Sequence, residues 1–270
     1  MTTVKSIVTV AFSTLLINKP KAQDTLPANF PTDSKLNHVR TWTAYYPQTN
    51  KDTLIAGRLS QVLQQTQYFD GLGRPVESIV KMTTPNIGDL ISVNTYDEFG
   101  RETYKFLPYQ KQRMFATGNF RFEPYTEVQS YYALNFNDSF AYSKTFFERS
   151  PLGRPVNVFA PGASWVGGAR GIRIQYQFNV VSDSVRKWYI SSNQPATSNR
   201  YGAGQLQKTV TTDEHGKQVV EYKDAKGNII LKKVQLSNSP AGAHAGWLCT
   251  YYVYNDLNEL VFVLQPKAVE

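Results

Sequence analysis

The side chains of this sequence that could do chemistry are acids that recur in short polar segments. The five aspartates concerned are Asp70, Asp97, Asp213, Asp224 and Asp256. Two carboxylates facing each other across a cleft would form the acid–base pair of a glycoside hydrolase. In a tight turn, however, an aspartate side chain accepts hydrogen bonds from its own loop and a glycine closes the loop at positive φ. Four of the five aspartates have a glycine three residues later. We therefore predict that these carboxylates are structural and that the chain is not an enzyme.

Histidine and cysteine are too few and too scattered to indicate a metal centre. The histidines are His38, His215 and His244, and the one cysteine, Cys249, lies in an apolar run that predicts a buried thiol. No pair has metal-ligand spacing and no Gly-x-Ser-x-Gly elbow is present. A Ser-His-Asp set drawn from distant segments stays open. We predict no catalytic residue, no metal and no cofactor.

The elements that position the acids are predicted to be antiparallel β-hairpins. A turn phrase of the type Tyr-Asp-x-x-Gly-Arg recurs with variations between strand-like segments, and the 17 Tyr and 15 Phe favour strands. The predicted structural turn residues are Tyr68, Asp70, Gly73, Arg74, Tyr96, Asp97, Gly100, Arg101, Gly153, Arg154, Asp213, Gly216, Asp224, Gly227 and Asp256. The fold class is therefore all-β, mainly antiparallel, with hairpin repeats forming an extended curved sheet.

Three segments depart from the hairpin pattern. Apolar residues at helical spacing predict one short helix near residues 126–135. Residues 191–204 are polar and predict a loop. The Gly-rich residues 161–171 are followed by an alternating, strand-like segment rather than by a helix, so they do not predict a phosphate-binding loop. The chain can form one domain over residues 23–270 or be subdivided near residues 110–145.

The N-terminus has the features of an export signal. Lys5 precedes an apolar run over residues 7–17, which is shorter than the about 20 residues of a transmembrane helix. We predict a Sec-type signal peptide over residues 1–22, a secreted or cell-surface protein and no transmembrane span; a buried N-terminal strand is the alternative. The formal charge is +8, but Lys and Arg are scattered, so no nucleic-acid partner is predicted.

Six segments together resemble a known family. They are YFDGLGRPVES, TYDEFGRETYKFLPY, AYSKTFFERSPLGRPV, APGASW, KTVTTDEHGKQVVEYKDAKGNIILKK and YYVYNDLNELVFVLQPKA. In this order they are similar to an N-terminal module, of unassigned function, of bacterial RHS/YD-repeat proteins. The resemblance runs from about residue 37 to the C-terminus. Three phrases depart from the family pattern because Lys217, Asn228 and Glu259 stand where it has arginine.

The resemblance carries expectations about fold and partners. In such proteins the hairpins pair into a spiralling sheet that closes as a hollow shell around a C-terminal toxin or effector domain. The resemblance therefore implies a structural module that forms or caps the start of the shell, with a downstream repeat array or effector as its partner. The alternative is a cell-surface binding module that presents Tyr131 and Tyr132, or Trp165, to a glycan or a partner protein.

Overall fold

The structure is a computed structural model that describes residues 26–56, 61–81, 88–111, 117–241 and 243–269. The predicted signal peptide, residues 1–22, lies outside the described residues. Among the described residues, no helix combines the length and the apolar character needed to cross a membrane.

Strands dominate the chain. In order, the elements are β1 (Asn37–Ala44), α1 (Lys51–Ala56), β2 (Val62–Phe69), β3 (Pro75–Lys81), β4 (Leu90–Val93), β5 (Tyr104–Phe106), β6 (Tyr109–Gln110), α2 (Pro124–Phe136), β7 (Tyr142–Phe147), β8 (Pro155–Phe159), β9 (Ile172–Phe178), β10 (Arg186–Ser191), β11 (Gln194–Arg200), β12 (Gln207–Thr212), β13 (Gln218–Lys223), β14 (Ile229–Gln235), β15 (Trp247–Tyr254), β16 (Leu260–Leu264) and α3 (Pro266–Val269). Single helical turns occur at Ala163–Gly167 and Val181–Asp183.

The strands form two larger sheets and one separate hairpin. The first sheet has the order β1-β2-β3-β4-β6 and the second the order β16-β15-β14-β13-β12-β9-β8-β7-β5, while β10 pairs with β11. All pairs of named strands are antiparallel. An antiparallel bridge between Asn94 and Lys105 joins the end of β4, in the first sheet, to β5, in the second. The hairpin of β4 and β5 therefore connects the two sheets. The predicted all-β, mainly antiparallel fold is confirmed.

Alternating burial places one face of each sheet in a core. In β15, Cys249, Tyr251 and Val253 are buried and their neighbours are less so, as expected for a strand with one packed face. Cys249 and Tyr251 pack with residues of β12, β13 and β14 in one core cluster. A second cluster lies against the first sheet and includes Ile79 and Ile91.

Helix α2 covers the second of these clusters, the one that lies against the first sheet. It begins with Pro124, whose missing N–H costs nothing in a first helical turn, and its buried residues include Tyr125 and Val128. It ends at Phe136, and the capping residue Asn137 adopts a left-handed conformation and donates its N–H to the carbonyl of Ala133. The predicted helix near residues 126–135 is confirmed and is slightly longer than expected.

The polar segment over residues 191–204 is not the predicted loop. Gln194–Arg200 forms β11, which pairs with β10. The residues of β11 are largely exposed, so the hairpin does not need the apolar alternation that marks a strand with one buried face. This missing alternation is the reason why the sequence-based prediction was wrong.

Strand direction places five of the six turns at one side of the molecule. Because neighbouring antiparallel strands run in opposite directions, the turns after β2, β4, β7, β13 and β15 lie at the same end of their strands. We call these turns, residues 70–74, 97–101, 148–154, 224–228 and 255–259, the turn rim. The turn over residues 213–217 lies at the opposite end.

Candidate functional site

The first turn of the rim is held by a single carboxylate. Oδ1 of Asp70 accepts the backbone N–H groups of Leu72 and Arg74, each at 2.9 Å. Its Oδ2 accepts Nε and Nη2 of Arg74, both at 2.7 Å. Gly73 has φ +77° and closes the loop. The backbone hydrogen bond from Arg74 is the main reason why the pKa of Asp70 lies below its usual value.

The second turn repeats this arrangement. Oδ1 of Asp97 accepts the N–H groups of Phe99 and Arg101, each at 2.9 Å, and its Oδ2 accepts Nε and Nη2 of Arg101, both at 2.8 Å. Partial burial raises the pKa of Asp97, but the hydrogen bonds from Arg101 and Phe99 outweigh burial and leave the pKa low. Both turns therefore keep an ionised carboxylate at the centre of the loop.

In the third turn, two side chains act as hydrogen-bond acceptors in place of a single aspartate. Oγ of Ser150 accepts the N–H of Leu152 at 3.2 Å, whereas Glu148 pairs with Nε and Nη2 of Arg154, both at 2.8 Å. Hydrogen bonds from Arg154, and next from Ser150, lower the pKa of Glu148 to about 2. Sequence analysis identified Arg154 but missed Glu148, because the acid stands six residues before its arginine instead of four.

Each of these three arginines also contacts an aromatic ring from a later part of the chain. The guanidinium carbon lies 4.4 Å from the ring centroid of Tyr96 for Arg74, 4.6 Å from that of Phe147 for Arg101, and 4.1 Å from that of Tyr176 for Arg154. The hydroxyls of Tyr96 and Tyr176 donate to the carbonyls of Pro75 and Pro155, the residues directly after Arg74 and Arg154. Each arginine therefore joins its own turn to a neighbouring hairpin.

The three remaining turns keep the loop but lose the arginine. Oδ1 of Asp213 accepts two backbone N–H groups of its turn, and Oδ1 of Asp224 does the same. Lys217 bonds to Asn238, outside its own turn. Asn228 bonds to Asp224 and also to Asn258 of the neighbouring turn, at 2.6 Å. Gly216 and Gly227 have φ values of +80° and +90°.

The sixth turn corrects one predicted residue. Oδ1 of Asn255, not a carboxylate of Asp256, accepts the N–H of Glu259 at 2.8 Å, and Asn258 adopts the positive φ of +67°. The turn therefore begins one residue earlier than the sequence suggested, because an asparagine amide oxygen can serve as the acceptor.

The structure does not bring the turn aspartates together. Asp70, Asp97, Asp213 and Asp224 each bond to backbone of their own loop. No group of three or more His, Cys, Asp and Glu side chains among the described residues could hold a metal ion. Tyr68 differs from Tyr96, because it is buried and its hydroxyl accepts the N–H of Phe120.

Two buried polar clusters escaped sequence analysis. In the first, the carboxyl group of Glu77 accepts the N–H of Arg121, with each oxygen at 3.2 Å, and Oδ2 of Asp89 accepts the N–H of Gly118 and Nη2 of Arg121. Both acids are fully buried, and burial raises the pKa of Glu77 to about 8. No sequence signal marks this cluster, since Glu77 and Arg121 are 44 residues apart.

The second cluster lies under β14 and β15. Nζ of Lys233 donates to the carbonyl of Ala243 at 2.6 Å, and burial lowers its pKa. Nε2 of His244 lies 2.8 Å from the hydroxyl of Tyr251, and burial lowers the pKa of His244 to about 4. Cys249 is buried nearby, and burial raises the pKa of its thiol. Cys249 and Tyr251 belong to the core cluster of the second sheet, and Lys233 is buried beside them.

The aromatic residues of the alternative hypothesis are partly exposed. The hydroxyl of Tyr132 donates to the carbonyl of Pro108, and its ring stacks on Phe136 with centroids 5.3 Å apart. Tyr131 makes an edge contact with Tyr132. The guanidinium carbon of Arg170 lies 4.6 Å from the ring centroid of Trp165, so one face of that indole is covered.

Comparison with known proteins gives one family and a distant structural likeness. Residues 40–178, just over half of the chain, match the family described as "Domain of unknown function (DUF6443)". A solved structure, the Photorhabdus luminescens Tc holotoxin pore with the mutation TccC3-D651A, is 14% identical with a TM-score of 0.43, over 77% of this chain and 9% of that one. The chain thus spans a small part of that structure's length, and the likeness carries no argument about function. No curated protein matches.

Proposed function

The chain belongs to the family described as "Domain of unknown function (DUF6443)", and we propose that it is a non-enzymatic structural module of a larger exported protein of RHS/YD-repeat type. There it forms or caps the start of a β-shell around a C-terminal effector or toxin domain. The sequence resemblance from residue 37 onward motivates this proposal, and the turn geometry supports it.

The open edge of the second sheet is the observation that carries the proposal. Among the described strands, β16 pairs only with β15 and ends the sheet. Its residues Leu260, Val261 and Val263 are each 43–50% exposed. An apolar edge strand with unpaired backbone groups is a template for a further strand. Helix α3 does not cover the edge of β16, because it packs against β15 and buries Val269 in the core. This open edge supports the proposal that β16 pairs with a strand of a repeat array in the larger protein.

The arginine contacts support a structural role for the hairpins. Each of Arg74, Arg101 and Arg154 bonds within its own turn and stacks on a ring from a later hairpin. Such contacts fix the position of successive hairpins along a ribbon, which a shell wall requires. The carboxylates of these turns are ion-paired to the three arginines, which supports a structural rather than a catalytic role.

Deletion in the larger protein tests the proposal. We expect removal of residues 23–270 to make the C-terminal domain of that protein cleavable by an added protease, because the shell loses its closure. The matched control deletes only residues 190–195, the outer end of the hairpin of β10 and β11, which contains no residue of either large sheet and leaves Trp188 in contact with Tyr251. Equal protection of the C-terminal domain with and without the module would contradict the proposal.

Surface binding is a second candidate, favoured by the aromatic group at the end of α2. Phe136 is 62% exposed and stacks on Tyr132, a flat platform of the kind that binds sugar rings. Glycan-array binding that is lost on Phe136→Ser and kept on Phe99→Ser would support this role. An array without signal would exclude glycan as the ligand.

A further inference from the structure

The outermost residue of four rim turns is a large apolar side chain. Leu72, Phe99, Leu152 and Leu257 each stand two residues after the first acceptor of their turn and are 79%, 72%, 70% and 79% exposed. We call these four side chains the apolar tips. In the first three turns the backbone N–H of the tip residue donates to that acceptor, so the loop fixes the tip at its outer point.

The turn itself does not require an apolar tip. His215 and Lys226 occupy the equivalent positions of two other turns and make the same backbone hydrogen bond, to Asp213 and Asp224. A polar side chain is thus compatible with the loop and would be better solvated. The histidine tip lies at the end of the strands opposite the rim, so the apolar tips are restricted to one side of the molecule.

The first three tips stand on three turns that are neighbours along the rim. Adjacent turns touch, since a Cβ on Gly100 would lie 3.1 Å from Nη1 of Arg74 and one on Gly153 would lie 3.6 Å from Cδ of Arg101. Each turn spans two strands, so neighbouring tips are about 10 Å apart at the usual strand spacing.

The arginines and backbone groups next to the tips exclude some classes of partner. The three arginines are ion-paired to Asp70, Asp97 and Glu148, so these cations are not free for phosphate groups of nucleic acid or anionic lipid. The backbone groups of the turns are hydrogen-bonded within each turn: the N–H of Asp70 donates to the carbonyl of Arg74, and that of Asp97 to the carbonyl of Arg101. A partner β-strand therefore has no free backbone groups to pair with there. Binding must therefore use the apolar side chains alone.

We propose that the row of Leu72, Phe99 and Leu152 is a docking surface for an amphipathic α-helix of a partner protein. Seven residues of α-helix rise about 10.5 Å, which matches the spacing of the tips, so each tip can enter one hole per heptad of such a helix. A second copy of this chain fits less well, since one row of side chains is narrow for the roughly 800 Å² per partner that a stable dimer buries.

A peptide titration on the full chain tests this surface. The ligand is a fluorescent helical peptide of about 21 residues with leucine at every seventh position and polar uncharged residues elsewhere, and the control peptide has the same composition with irregular leucine spacing. The rim variant combines Leu72→Ser, Phe99→Ser and Leu152→Ser. The matched variant combines Leu134→Ser and Phe136→Ser, which removes exposed apolar side chains from α2 instead.

We expect the rim variant to bind the regular peptide at least about tenfold more weakly than the unmodified chain, and the α2 variant to bind it within about twofold. The regular peptide should bind more tightly than the irregular one. No binding up to about 1 mM, or equal losses in both variants, would overturn the proposal. Rim-dependent self-association without peptide, or rim-dependent sedimentation with neutral phosphatidylcholine vesicles, would also overturn it, in favour of a second copy or a lipid surface.

The turns keep their hydrogen bonds in the rim variant and lose one ring contact, that of Phe99 with the guanidinium of Arg101. Its thermal unfolding midpoint should therefore lie within about 4 °C of that of the unmodified chain. Failure of this test leaves the shell proposal intact, since that proposal depends on the edge of β16 and not on the tips.

Discussion

Arg74 and Tyr96 form a reciprocal contact between two consecutive hairpins. The arginine lies 4.4 Å over the tyrosine ring while it is ion-paired to Asp70, and the tyrosine hydroxyl donates to the carbonyl of Pro75, next to the arginine. A turn that is local in sequence is thus tied to the residue that directly precedes the next turn. The same relation recurs between Arg154 and Tyr176, 22 residues apart in each case.

The first prediction concerns the coupling between these residues. Arg74→Met keeps the aliphatic stem but loses the ion pair and the stacking, so we expect it to lower the free energy of unfolding by about 1–2 kcal/mol. A double-mutant cycle with Tyr96→Leu should give a coupling energy of about 0.5–1 kcal/mol. Lys217→Met is the matched control, because Lys217 bonds outside its turn, and its effect should be within about 0.5 kcal/mol. Additive effects of the first two substitutions, measured by urea unfolding, would contradict the contact.

The second prediction concerns which residue opens the sixth turn. Asn255→Ala removes the acceptor of the Glu259 N–H and should lower the free energy of unfolding by about 1 kcal/mol. Asp256→Ala should change it by less than about 0.5 kcal/mol, because the Asp256 side chain makes no hydrogen bond within the part of the chain that the structure describes. The reverse order of the two effects would show that the aspartate opens the turn.

The third prediction is a pH dependence caused by Glu77. Burial raises the pKa of this carboxyl to about 8 in the folded chain from 4.5. The stability that Glu77 contributes is therefore fully present below pH 4.5 and is lost as the pH rises towards 8. Glu77→Gln removes this loss, so its stability relative to the unmodified chain should rise between pH 5 and pH 8 by a few kcal/mol at most, on the order of 1.4 kcal/mol per pH unit.

Denaturant unfolding at several pH values measures this difference. Glu102→Gln is the control, because Glu102 is exposed, and it should leave the pH dependence nearly unchanged. A constant difference between Glu77→Gln and the unmodified chain across this pH range would show that the Glu77 carboxyl does not hold a proton in the folded state.

Local interactions explain what the sequence could predict. The turns at Asp70 and Asp97 follow from bonds that span two to four residues, and the side chains that make them can be read directly from the sequence. Helix α2 was likewise marked by apolar spacing. The residue that opens the sixth turn could not be predicted in this way, since both Asn255 and Asp256 satisfy the local rule. Only the register of β15 and β16 shows that Asn255 is the acceptor.

Contacts between distant residues explain what the sequence could not predict. The stacking of Arg101 on Phe147 requires two turns to lie side by side, which depends on sheet order. The contact between Glu77 and Arg121 joins β3 to a segment before α2 and follows no periodic pattern. The exposed strand β11 lacks the alternation that a packed face imposes. The apolar tips can be identified in the sequence, but only the fold shows that their turns lie on the same side of the molecule.

Hydrogen–deuterium exchange of β16 tests the central claim most directly. We compare the backbone amides of Leu260–Leu264 in this chain and in the larger exported protein. If β16 receives a further strand, alternate amides of β16 that exchange freely in the chain alone should become protected by about 100-fold or more in the larger protein. Amides of β15, which is already paired on both sides, are the internal control. Equal exchange of β16 in both proteins would contradict the account.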